Sequence, residues 1–271
     1  MVLRGNRYNQ ERPRSPLMNA MKGVKNISDT DPRHDALLRA ARNVAVNHEN
    51  SDERAVLYDQ EGCLMLRQGK TPRAQELFND ALKNFSDDNF LGIARTEAHA
   101  ALAYTANNPG LAHELINEAL DNHDRDIARE TEGTEAWHKG VHEKEITENS
   151  YLARVMIATN KDREGHTRQL LKFCHDHNPS IDYMEYQDAI NFALKIRELP
   201  PPTRTALKLR RIELELANDT SKRISLPRAS RKLANLAVGS SLHTSKWIAS
   251  KSLDVAVSAA QHARQAISNR E

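Results

Sequence analysis

Apolar residues recur along this chain at three- and four-residue intervals, the period of a helix that buries one face. Asp31-Pro32 opens a segment with Leu37, Leu38, Ala41 and Ala45 at that spacing. Ser51 opens a second helix, with Arg54 where a capping-box acid would stand. Its apolar face runs through Leu57, Tyr58, Leu64 and Met65 to Gly69, which reads as a left-handed C-cap. Thr71-Pro72 reads as an N-cap followed by a first-turn proline. The helix it opens carries the stripe Ala74, Leu77, Phe78, Ala81 and Leu82. A helix over residues 93–106 follows. Asn108-Pro109 then repeats the cap-plus-proline device ahead of Ala112, Leu115, Ile116, Ala119 and Leu120. Twice, therefore, a short turn joins two helices, and the second helix of each pair is built on one template.

That template can be tested as an internal repeat. Residues 73–82 and 111–120 align at an offset of 38 residues, with alanine, glutamate, leucine and a closing Ala-Leu pair in common. Small alanines at a crossing let two helices approach, while Phe78 or Ile116 fills the groove beside them. On these residues the chain resembles the tetratricopeptide repeat family, whose unit is a helical hairpin. In residues 55–88, Tyr58 matches the family's first-helix aromatic, Gly62 its small residue and Gly69 its turn. Ala74, Phe78, Ala81 and Leu82 match the second helix. Glu61, Met65 and Ser86 depart from the pattern, Ser86 standing where a proline closes the unit. Residues 93–122 match through Ala100, Ala112, Ile116, Ala119 and Leu120, without the leading aromatic. The resemblance covers residues 55–122.

Later segments follow the helical period more loosely. Residues 134–159 read as one long helix, with Gly140 as the candidate interruption. Asn160 can cap a helix bearing Leu170, Leu171, Phe173 and Cys174, which would complete a third hairpin. Ser180 opens a helix with Tyr183, Tyr186, Ile190, Phe192 and Leu194. Beyond Pro200, Pro201 and Pro202, residues 203–217 are helical, and further helices begin near Pro227 and Ser245. The expected fold is all-α: a helical-hairpin repeat, implied by the resemblance to be a superhelix, with a helical C-terminal region.

Composition agrees. Glycine and proline number only 10 each in 271 residues, which disfavours sandwiches, barrels and Gly-rich nucleotide folds. The 33 alanines favour helix. The net charge of +2 conceals an asymmetry: residues 1–26 carry +5, residues 27–202 carry −11 and residues 203–271 carry +8. Three regions follow: a flexible basic arm over 1–30, an acidic repeat domain over 31–199 and a basic helical region over 203–271. No apolar run is long enough to cross a membrane, and residues 1–25 lack the apolar core of a secretory signal. Cys63 and Cys174 sit in helical patterns without a disulfide framework, as expected of reduced thiols in a cytoplasmic protein.

Catalytic chemistry has little foothold. There is no Gly-rich phosphate loop and no G-x-S-x-G elbow. His138 and His142 share a helix face, with Glu135 or Glu145 as further ligands, yet their spacing reads as a solvated polar face. Cys174, His175 and His177 point in different directions on a helix and do not converge. No catalytic residue, cofactor or metal is assigned. The expectation is a non-catalytic scaffold that binds a protein or peptide on a concave surface lined by first helices. Asp59, Arg67, Arg95, His99 and Asn107 are the candidate partner-binding residues. The alternative is a nucleic-acid-associated protein in which Arg204, Lys208, Arg210, Arg211, Lys222, Arg223, Arg231 and Lys232 contact phosphates.

Overall fold

The computed structural model describes residues 51–176 and 183–219, together with Asn43. The expected basic arm and the helices beyond residue 219 lie outside the described residues. Every regular element among the described residues is helical, and no strand occurs among them. The chain divides into two compact units, Met1–Lys161 and Asp162–Glu271. The expected third hairpin straddles that division, so its halves belong to different units. The proline run at 200–202 falls inside the second.

In the first unit, α1 (Ser51–Arg67), α2 (Thr71–Asn84), α3 (Phe90–Tyr104) and α4 (Pro109–Arg129) follow one another through short turns. Each packs on the next, and α1 also meets α3. Gly69 takes the left-handed conformation, with φ of 75°. The Gly69 N–H donates to Leu66 O and the Lys70 N–H to Met65 O, the paired bonds of a Schellman turn. Thr71 is the first residue of α2 and not its cap; Lys70 holds that position without a side-chain bond. Asn108 does cap α4, its side chain accepting from Leu111 N at 3.2 Å, and Asn89 caps α3 in the same way.

Residues 38 apart in α2 and α4 are buried alike. Ala74, Leu77, Phe78 and Ala81 are buried, and so are their counterparts Ala112, Leu115, Ile116 and Ala119. Gly62 on α1 and Ala100 on α3 are a further pair at that offset, both buried. Gly62 is where α2 comes closest: a Cβ there would lie 2.5 Å from the Phe78 ring. Ser86 fastens the end of α2 to the start of α1. Its N–H and hydroxyl both donate to Asp52, at 2.7 and 2.9 Å, tying the end of the hairpin to its beginning.

The long helix expected over 134–159 is present but built in three parts: α5 (Glu135–Ile146), a π-helical turn (Thr147–Leu152) and α6 (Ala153–Ala158). Gly140 does not interrupt it. There α5 approaches α4, and a Cβ on Gly140 would meet Ile127 at 3.1 Å. The irregularity lies instead at the π turn, where Thr147, Ser150 and Tyr151 are all buried. The π turn and α6 pack on α3 and α4. Asn160, with φ of 58°, ends the helix in the left-handed conformation, and Lys161 N donates back to Met156 O. It does the work that Gly69 does for α1.

The second unit contains α7 (Arg163–Asp176), α8 (Tyr183–Ala193) and α9 (Pro201–Asp219), with α8 packed on both others. Its core gathers Leu170, Phe173, Cys174, Tyr186, Ile190 and Leu207. The prolines do not delay the last helix. Pro201 and Pro202 form its first turn, where a missing N–H costs no hydrogen bond.

Candidate functional site

Three first-unit helices meet around one imidazole. Asp59 and Cys63 lie one turn apart on α1, so their side chains share a face. His99 reaches toward them from α3. Its Nδ1 lies 2.7 Å from Asp59 Oδ1, and its Nε2 lies 2.9 Å from the Tyr151 hydroxyl in the π turn. One ligand atom each from Asp59, Cys63 and His99 fall within 4.8 Å of one another. Rings frame the cluster: His99 stands edge-on to Tyr151 with centroids 5.2 Å apart, and Phe78 lies 6.0 Å away. The Arg154 guanidinium covers the Tyr151 ring at 4.4 Å.

Charge and burial set the protonation. Burial pulls the His99 imidazole down, but the Asp59 carboxylate, then Cys63 and Tyr151, outweigh it and hold its pKa well above the ordinary histidine value. Both ring N–H groups then donate, one to the Asp59 carboxylate and one to the Tyr151 oxygen. Burial pushes the Cys63 thiol up, against the lowering influence of His99. A protonated thiol is a poor nucleophile, so this arrangement differs from an activated cysteine–histidine pair.

A second buried polar layer lies between α3, α4 and the π turn. Asn122 donates to Glu97 at 2.8 Å, and His123 Nε2 lies 2.9 Å from the Thr147 hydroxyl. Burial raises Glu97 to about 7. Burial, with Arg95 and Lys144 nearby, lowers His123 to about 4.

The five candidate partner-binding residues separate into two groups. Asp59 and His99 are turned inward and bonded to each other, which corrects their placement on a solvent-facing surface. The cause is helical register: both face the contact between α1 and α3. Arg67, Arg95 and Asn107 are exposed. Arg67 occupies the last turn of α1, where a positive charge suits the helix dipole. Arg95 makes a two-pronged pair with Glu143 of α5, one arm at 2.9 Å. Asn107 accepts from Gln75 of α2 at 3.1 Å.

His138 is exposed, and neither it nor His142 belongs to a three-residue ligand group among the described residues. Cys174 is buried while its neighbour His175 is exposed and paired with Asp176; His177 lies outside the described residues. Of the basic side chains proposed for phosphates, Lys208 is exposed. Arg204 donates to the carbonyls of Leu194, Ile196 and Arg197, and Arg210 to the Tyr186 hydroxyl. Arg211 is partly buried; Lys222, Arg223, Arg231 and Lys232 lie outside the described residues.

Cys63 and Tyr151 were not among the sequence candidates. The one-turn spacing of Asp59 and Cys63 is readable in the sequence; the convergence of His99 and Tyr151, 40 and 52 residues further on in turn, is not. Comparison with protein-family models, with curated proteins and with solved structures returns no match.

Proposed function

We propose that this chain is a non-catalytic scaffold of the tetratricopeptide-like kind, a superhelix whose first helices take up a peptide or helix from a protein partner. The observation that carries this reading is the succession α1, α3 and the π turn with α6. These first helices touch one another in order, while α2 packs on α1 and α3, and α4 packs on α3, α5, the π turn and α6. The equal burial of side chains 38 residues apart supports a repeated unit. Arg67 and Arg95, both exposed on first helices, would meet acidic or carbonyl groups of the bound segment. Cys63 and Cys174, neither of them in a disulfide, accord with a reducing compartment such as the cytoplasm.

Site-specific photo-crosslinking tests the reading. A crosslinking residue at Arg67 or Asn107 should capture one protein partner, and the same residue at Lys83 or Glu114 on the second helices should not. The double variant Arg67→Ala/Arg95→Ala should weaken capture while remaining folded. Capture confined to Lys83 and Glu114, or undiminished in the folded double variant, overturns the placement.

A further inference from the structure

We propose that Asp59, Cys63 and His99 form a binding site for a divalent transition-metal ion of the zinc class, held between α1 and α3. The donor set is the first argument. A carboxylate oxygen, a thiol sulfur and an imidazole nitrogen are the three ligand types that zinc accepts, and the thiol disfavours magnesium and calcium. The second argument is convergence. A hydrogen-bonded Asp59–His99 pair would hold the helices together without Cys63, yet all three ligand atoms fall within 4.8 Å of one another. Tetrahedral ligands at about 2.0–2.3 Å from zinc stand about 3.3–3.7 Å apart. Small side-chain rotations therefore suffice, and the 2.7 Å contact between Asp59 and His99 opens slightly to admit the ion.

The surroundings suit a metal ligand. With Nδ1 on the ion, Nε2–H still donates to Tyr151, the outer hydrogen bond that orients a ligating histidine. Tyr151 is itself held under the Arg154 guanidinium. Asp59 and His99 keep 13% and 14% side-chain exposure, so neither side chain is completely sealed from solvent. Binding is balanced by protons: the ion takes the place of the Nδ1 and thiol hydrogens, and two protons leave to solvent. Three protein ligands leave a fourth position for water or for a donor from a bound segment.

Cobalt is the spectroscopic probe, added to metal-depleted full-length protein. One equivalent should produce the near-ultraviolet thiolate-to-cobalt band together with visible d–d bands, and zinc should displace both. Cys174→Ser should keep the bands and Cys63→Ser should lose the thiolate band. Tyr151→Phe should weaken binding about 10–100-fold without removing the thiolate band. A second measurement needs no ligand variant: in Cys174→Ser, zinc should slow maleimide modification of the remaining thiol. The proposal is overturned if the full chain gives no thiolate band, if the band survives in Cys63→Ser, or if zinc leaves the thiol unprotected. Circular dichroism with and without zinc establishes that each variant is folded.

Discussion

His99 on α3 donates its Nδ1 proton to Asp59 on α1 across 2.7 Å, and with Tyr151 of the π turn beyond it this links three helical segments through one ring. Both partners are largely withdrawn from solvent, so deleting either strands the other. Asp59→Ala and His99→Ala should each destabilise the fold. The double variant should lose about 1–3 kcal/mol less than the sum of the two, the coupling expected of contacting polar partners. Urea unfolding of the four proteins without added metal measures this. Additivity within about 0.5 kcal/mol would mean that the bond contributes nothing to stability.

Gly62 and Phe78 set the distance between α1 and α2. An alanine normally improves a helix interior by about 1 kcal/mol over glycine. At Gly62 the added methyl would sit 2.5 Å from a ring that is fully buried and cannot swing away. Overpacking of this kind costs about 1–3 kcal/mol, so Gly62→Ala should lower the melting temperature. Adding Phe78→Leu, which clears the space, should make the second effect smaller than Phe78→Leu produces alone. A Gly62→Ala protein more stable than the parent would show that the helices simply move apart.

The helices of the first unit could be located from sequence because each carries its own local signals. Gly69, Pro72 and Asn108-Pro109 act within a turn of where they stand. The stripe of Ala74, Leu77, Phe78 and Ala81 reports one buried face. What sequence could not supply was the register between helices. As sequence, Asp59 and His99 read as partner-binding positions on a concave surface. Their inward direction depends on how α1 lies against α3, which no local pattern encodes. The π turn was hidden for a similar reason. It is stabilised by Thr147 and Tyr151 finding His123 and His99 on other helices. The Gly140 expectation failed because glycine there serves close approach to α4 and not a break.

Glu97 and His123 should give the stability a dome-shaped dependence on pH. His123 is held at about 4 when folded, by burial and by Arg95 and Lys144 against Asp124. Its unfolded value is about 6.5. Stability is fully present above that value and falls by about 3 kcal/mol as pH drops toward 4, because only the unfolded chain takes the proton. Glu97 has the opposite sense. Burial, with Glu118 and Asp121, raises it to about 7 against Asn122 and Arg125. Its contribution is present below the unfolded value of about 4.3 and lost as pH rises through 7. Glu97→Gln, which can still accept from Asn122, should therefore stabilise the protein at about pH 8 and do little near pH 4.5. Denaturation midpoints at the two pH values check this; equal gains at both would remove the titration of Glu97 as the cause.

Arg204 is held by the chain itself. Its two terminal nitrogens donate to the carbonyls of Leu194, Ile196 and Arg197, between 2.9 and 3.2 Å, which closes the turn between α8 and α9. Carbonyl groups past a helix end have no partners within the helix, and a guanidinium supplies several donors at once. Hydrogen bonds from a charged group contribute about 1.5–3 kcal/mol. Arg204→Ala should therefore destabilise the second unit by about 2–3 kcal/mol. Lys208→Ala, at an exposed position of the same helix, should change stability by no more than about 0.5 kcal/mol. Hydrogen exchange localises the effect: amide protection over residues 183–199 should fall in Arg204→Ala and stay unchanged in Lys208→Ala. Protection unaltered in Arg204→Ala would leave that side chain without a structural role and return it to the group available for phosphates.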